Sequence, residues 1–180
     1  MTENTPFELL STIRKEAKIL ADKGLTYSSL STGIKNIAYR VNGVNFYCDA
    51  SDIKEVSVCE NIMVVPQTKR WLRGLVNSKG VLYSVSDLSL FAGYGRPVQT
   101  NKGHLLLLSN ESQQSALLVS RVIGFRYFEG AQKITDFESK QEVLDGLSAF
   151  VEEGFHSDEQ DWYRLDVKKL LESEQFREVQ

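Results

Sequence analysis

The chain has 180 residues, 42% apolar and 25% charged, with 21 Lys+Arg against 24 Asp+Glu and a net charge of -3. That length holds one domain, or two small ones sharing a core, without a disulfide or metal staple. Wholesale disorder is excluded by the composition, and the mildly acidic balance argues against a dedicated nucleic-acid binder. Uninterrupted apolar runs reach only Leu105-Leu106-Leu107-Leu108 in length, far short of the ~20 residues of a membrane-spanning helix. The opening Met1-Thr2-Glu3-Asn4-Thr5-Pro6 lacks the basic start and apolar stretch of a signal peptide, so a cytoplasmic protein is expected. Cys48 and Cys59 form no C-x-x-C pair and read as small buried hydrophobes.

In chain order, the first predicted element is a helix. Thr5-Pro6-Phe7-Glu8 has the form of a capping box with Pro at the first helical position. Phe7, Leu10, Ile13, Ala17 and Leu20 then draw one apolar stripe, and Gly24 is a plausible stop. The Ser/Thr-rich residues 25–33 follow as a linker. From residue 34 the signal changes to strands. Two β-prone runs flank Asn42-Gly43, a strong hairpin signal. A second hairpin is expected around Asn77-Ser78-Lys79-Gly80, and a third joins residues 105–108 to 115–120. Short strands separated by turn residues indicate an all-β barrel or sandwich, and the absence of β–helix–β alternation argues against a nucleotide-binding doubly wound fold. From residue 131 onward there are 13 acids and 6 bases, a balance of -7 that leaves +4 on residues 1–130. Asp166 is placed to cap a final helix running from Val167 to about Phe176.

Residues suited to catalysis are sparse. His104 opens an apolar strand and His156 lies in what reads as a polar loop; neither belongs to a metal or nucleophile motif. Glu152 and Glu153 are adjacent, so on a strand they would face opposite ways. Gly93-Tyr94-Gly95 is a lone turn with no following helix to hold a phosphate. No cofactor motif and no metal set is found. Lys69-Arg70-Trp71-Leu72-Arg73 offers two readings. It could stack on bases and pair phosphates, making a small nucleic-acid-binding β-barrel. Or Trp71 plugs the core while its basic neighbours stay solvated, which is the favoured reading.

The most specific stretch runs from Trp71 to Leu88: Trp71-Leu72-Arg73-Gly74-Leu75-Val76-Asn77-Ser78-Lys79-Gly80-Val81-Leu82-Tyr83-Ser84-Val85-Ser86-Asp87-Leu88. Gly74 permits close backbone approach, Gly80 suits a positive φ at the turn, and Asp87 can accept backbone N–H groups. This hairpin resembles the signature of CheW-like domains, scaffolds of bacterial chemosensory arrays. Strands around Asn42-Gly43, the step Asp52-Ile53-Lys54-Glu55-Val56, Pro66, the region 105–124 and the closing stretch from Asp161 to Leu171 are similar to the family in the same order. The resemblance covers about residues 34–172, with 1–33 a helical extension and linker and 173–180 a tail. Within the family, that extension together with Trp71 and Trp162 resembles the adaptors of type IV pilus systems.

The resemblance implies a mainly β fold of two SH3-like five-stranded barrel subdomains around a shared core, with the N-terminal extension and a short C-terminal helix. It implies a non-catalytic adaptor for twitching motility that joins a methyl-accepting receptor tip (PilJ-like) to the regulatory domain of a CheA-type histidine kinase (ChpA-like). No nucleic-acid partner and no membrane insertion are implied; recruitment to membrane-associated arrays is. Ile53, Glu55, Asn77 and Lys79 are the implied partner-binding residues, and Gly74, Gly80 and Asp87 the implied turn residues. Two positions depart from the pattern: Lys79 stands where the family typically has Arg, and Ser78 replaces a common Leu. Lys keeps the charge but loses the bidentate fork.

Overall fold

A computed structural model of the protein describes residues 35–110, 113–128, 131–134 and 146–178. The helix and linker expected over residues 1–33 lie outside these residues. Everything described below belongs to the unit Lys35–Gln180.

Strands β1 (Asn36–Val41), β2 (Val44–Asp49), β3 (Ile53–Val58), β4 (Leu72–Ser78) and β5 (Val81–Asp87) lead into a one-turn helix, α1 (Leu88–Phe91). Then come β6 (His104–Leu108), β7 (Ser115–Val119), β8 (Arg121–Arg126), β9 (Gln132–Ile134), β10 (Val151–Ser157) and β11 (Gln160–Leu165). Two short helices, α2 (Val167–Glu172) and α3 (Glu174–Arg177), follow. The strands form two sheets, a six-stranded one ordered β8-β1-β2-β11-β10-β9 and a five-stranded one ordered β3-β6-β7-β5-β4. The mainly β architecture in two parts is as expected; the first part gains a sixth strand, three-residue β9. Each sheet holds one parallel pair between strands distant in sequence, β2 with β11 and β5 with β7.

Turn chemistry explains the hairpins. Asn42 and Gly43 have φ of 46° and 92°, and Lys79 and Gly80 have 53° and 85°. Positive φ at both central residues gives a two-residue turn whose twist matches the flanking strands. The β10–β11 hairpin turns the same way on Asp158 and Glu159, at φ 50° and 59°, without a glycine. Asp tolerates this conformation better than most residues, but no glycine marks the turn in sequence. The expected polar loop around His156 is therefore strand β10, and His156 Nδ1 lies 2.8 Å from Oδ1 of its cross-strand neighbour Asp161. The expectation for Glu152 and Glu153 is also corrected. A bulge between Val151 and Glu153 resets the side-chain alternation, and both carboxylates converge on the Arg164 guanidinium, at 3.3 and 3.5 Å.

Burial explains the apolar runs. Leu106 and Leu108 of β6 face a cluster shared by both sheets, with Tyr39, Phe46, Tyr163 and Leu165 of the larger sheet. Leu105 and Leu107 face the other way, into a cluster private to the smaller sheet with Val76, Tyr83 and Val85. Strands β6 and β7 are buried on both faces, so they read as continuous leucine-rich runs rather than alternating ones. The larger sheet has its own small cluster of Ala38, Tyr47 and Trp162, covered by Phe128 and Phe155.

Trp71 is buried, stacked on Phe176 at 5.3 Å between ring centroids and edge-on to Phe91 at 5.4 Å. Phe176 reaches that position because the C-terminal helix breaks. One helix was expected to about Phe176; Ser173 interrupts it with extended ψ of 140° and caps the second segment through the Phe176 N–H. Its hydroxyl donates to the Leu170 carbonyl at 2.8 Å, one of the local bonds through which serine competes with helix continuation.

Candidate partner-docking surface

The smaller sheet ends in β3 on one side and β4 on the other. Gly74 sets what lies against β4. Its φ is 136°, and a Cβ built there would sit 2.1 Å from the Met63 carbonyl oxygen. Only a glycine lets the two backbones approach this closely. Met63 and Leu75 accordingly exchange N–H···O bonds in both directions at 2.8 Å. This bridge holds residues 60–63 as a wall beside the sheet. Between that wall, β3 and β4 lies a groove of about 510 Å³ whose lining includes Val58, Glu60, Met63, Val76, Asn77 and Leu107.

Large apolar side chains are left in solvent around it: Val58 is 59% exposed, Met63 51%, Val64 81% and Leu82 50%. Val56 and Val81 are exposed as well. An exposed apolar concentration of this kind marks a contact surface. No sequence motif marks Met63 and Val64. They lie in the apolar run 62–65, which forms no strand and belongs to no hairpin, and an apolar run without a buried element was the available signal.

The structure brings together two of the sequence-implied residues. Lys79 sits in the β4–β5 turn and places Nζ 2.6 Å from Glu55 Oε2 on β3. The Asn77 side chain accepts from the Gly80 N–H at 2.9 Å and fastens the turn that presents Lys79. A bulge between Ile53 and Glu55 shifts the β3 register against β6. Ile53 is half-buried and packs on the shared core, so most of its apolar surface is spent inside the protein.

Asp87 is fully buried at the start of α1. Oδ1 accepts from the Ser89 and Leu90 N–H groups at 3.0 and 3.2 Å. Oδ2 accepts from the Val98 N–H at 2.9 Å and Arg73 Nη1 at 3.0 Å. Four donors on one carboxylate satisfy a buried charge. Arg73 thereby leaves the basic–aromatic cluster, and with Trp71 buried that cluster offers no exposed ring for base stacking.

A neighbouring cavity of about 780 Å³ shares Val58, Glu60 and Asn61 with the groove and adds Cys59, Lys102 and His104. Burial pushes the Cys59 thiol up, an effect that nearby Arg73 only partly offsets, so the thiol stays protonated. Among the described residues no group of three or more His, Cys, Asp or Glu is placed to hold a metal ion. The arrangement as a whole suits adhesion: an apolar floor, a charged pair across the rim and fixed backbone walls.

Comparison with known proteins agrees with the hairpin signature. A family model for the CheW-like domain matches residues 36–175. Protein PilI of Pseudomonas aeruginosa is 24% identical over 176 residues, covering 97% of this chain and 96% of that protein. The scaffolding protein TtCheW from Thermoanaerobacter tengcongensis shares the fold, with a TM-score of 0.64 at 20% identity over 80% of this chain and 91% of that one. The chain belongs to the CheW-like domain family, the chemosensory adaptors that its β4–β5 hairpin resembled.

Proposed function

We propose that the protein is a non-catalytic adaptor that couples the cytoplasmic tip of a methyl-accepting chemoreceptor to the regulatory domain of a CheA-type histidine kinase, in a pathway controlling type IV pili and twitching motility. Family membership supports the adaptor role. Similarity to PilI along nearly the whole chain supports the pilus branch, and with it a PilJ-like receptor and a ChpA-like kinase. The observation that carries the reading is the exposed apolar groove of the smaller sheet, with the Glu55–Lys79 pair on β3 and the β4–β5 turn next to its lining residues Ser57 and Ser78. An apolar centre with a charged rim fits a helical receptor tip. In this reading Glu55 and Lys79 read partner charge, Asn77 holds the turn that presents Lys79, and Ile53 anchors β3 while its uncovered edge meets the partner. No described helix is long and apolar enough to cross a membrane; the proposed location is the cytoplasm, at arrays reached through the receptor.

The test is a pull-down of the full chain against a receptor-tip fragment and a kinase regulatory domain, separately and together. Retention of each alone, and of both at once on one chain, is expected. Failure to hold either, or mutual exclusion of the two, overturns the coupling role. Salt-sensitive retention on nucleic acid without either protein would instead revive the barrel that binds nucleic acid.

A further inference from the structure

A second concentration of charge lies away from the groove, around the Asn42-Gly43 turn. A cavity of about 560 Å³ there has Asn42, Arg96, Pro97, Gln99, Lys102 and Ser120 in its walls, and no acid lines it. On β1, which leads into the turn, and on β8 beside it, Arg40 and Arg121 are cross-strand partners. Like charges placed opposite each other oppose strand pairing. Among the described residues none of these four cations makes an ion pair, as is also true of Lys35, Lys54, Arg70, Lys169 and Arg177, whereas the other seven do. Arg40 instead donates from Nε to Asn45 Oδ1 at 2.8 Å. The cations gather in a chain whose net charge is -3.

The walls are fixed before any ligand arrives. The Arg96 carbonyl accepts from both the Ser89 hydroxyl and Asn42 Nδ2, and Asn42 Nδ2 also donates to Ser89 Oγ. The Asn42 backbone N–H donates to Ser120 Oγ at 3.1 Å. Arg96 is thus presented from a pinned backbone with its side chain exposed and unpaired. The donors left for a ligand are the Arg96 guanidinium, the Lys102 ammonium, the Gln99 amide and the Ser120 hydroxyl, because the Asn42 amide is held by Ser89 and Arg96. A planar guanidinium beside a lysine matches the oxygens of a phosphoryl group, which supplies several acceptors and about two charges in a small volume. The cavity volume falls in the range of small-molecule sites.

We propose that this cavity binds a small phosphorylated metabolite of nucleotide size. Its phosphate sits on Arg96 and Lys102, and its remaining polar groups meet Gln99 and Ser120. None of these residues lines the proposed receptor groove, although Lys102 also lines the cavity beside it, so the test uses neither receptor nor kinase. The full chain is titrated by calorimetry with pyrophosphate and with ATP, without metal, at about 50 and 200 mM salt. Saturable binding that weakens with salt is expected. Arg96→Ala and Lys102→Ala should each weaken it about tenfold, or about 1.4 kcal/mol, while Lys54→Ala leaves it unchanged. Both target side chains are exposed, and matching thermal melts confirm that the variants fold. No saturable heat, or affinities that survive both substitutions, overturns the proposal. So does poly-glutamate that displaces pyrophosphate at lower concentration, which assigns the patch to an acidic protein partner.

Discussion

Reversing the Glu55–Lys79 pair separates charge that holds the protein together from charge that a partner reads. The two groups meet at 2.6 Å, with the lysine side chain 77% exposed and the glutamate 29%. A contact this wet is worth about 0.2–1 kcal/mol, because water screens it and two flexible side chains must be held. Glu55→Lys or Lys79→Glu alone replaces that attraction with repulsion. Each should lower stability by about 1 kcal/mol, or about 2–4 °C in a melt of a chain this size. The double reversal rebuilds the pair with opposite polarity and should melt within a degree or so of the parent. Binding should behave differently. A receptor-tip fragment measured by calorimetry should bind each single variant about tenfold more weakly, as for a rim charge of the wrong sign, and the double variant should stay as weak. Restored stability with unrestored affinity is the expected signature. A double variant that binds like the parent would refute the argument, since the pair would then serve only to tie the hairpin to β3.

Three further outcomes follow from the same geometry. Gly74→Ala should cost about 2–5 kcal/mol in urea unfolding, since the new methyl carbon would lie 2.1 Å from the Met63 oxygen at a φ of 136°; a loss under about 0.5 kcal/mol would mean the Met63 wall yields freely. Asp87→Asn should cost about 2–3 kcal/mol by the same assay, below the figure for a fully enclosed pair because Arg73 keeps a side-chain exposure of 27%; no change in the urea midpoint would show that the four donors find other acceptors. Burial raises the Cys48 and Cys59 thiols above their ordinary value, so the thiolate fraction near pH 8 falls below that of a free cysteine. A thiol-specific reagent should therefore react more slowly with the folded chain than with free cysteine at the same pH, and at once in urea; rapid labelling of the folded protein near neutral pH would contradict this.

How much of the fold could be read beforehand depended on what marks each element. The Asn42-Gly43 and Lys79-Gly80 turns carry glycine at a position of positive φ, and both hairpins were found from it. The Asp158-Glu159 turn has the same geometry without the glycine, so β10 reads as a polar loop in sequence. The bulge at Val151 lets Glu152 and Glu153 reach the same Arg164, which strict alternation cannot anticipate because a bulge is set by the partner strand. Ser173 looked like an ordinary helical residue until Trp71 gave Phe176 a ring to stack on. At the candidate site, Glu55 and Lys79 stand 24 residues apart, and only a family resemblance could place them near one another. The exposure of Met63 and Val64 has no sequence mark because the wall that carries them is placed by the tertiary contact at Gly74.

The placement of the exposed residues supports reading them as a surface for use. Sheet edges normally carry charge, proline or a cover to prevent unwanted pairing. Here the exposed face of β3 carries Lys54 but also bare Val56 and Val58, and the adjoining wall adds Met63 and Val64. None of these four apolar side chains belongs to the three buried clusters, so folding gains little from them. Both sheets already have a private cluster and a share in the common one, which lets the smaller sheet leave its rim uncovered without loosening its interior. The consequence is separability. Val58→Ser and Val64→Ser remove apolar area that is already in water and should shift stability by no more than about 0.5 kcal/mol. The same changes should weaken a partner whose contact is centred on the groove. Were such substitutions to unfold the chain, the exposed rim would have to be reassigned to the core, and the adaptor would have to grip its partners elsewhere.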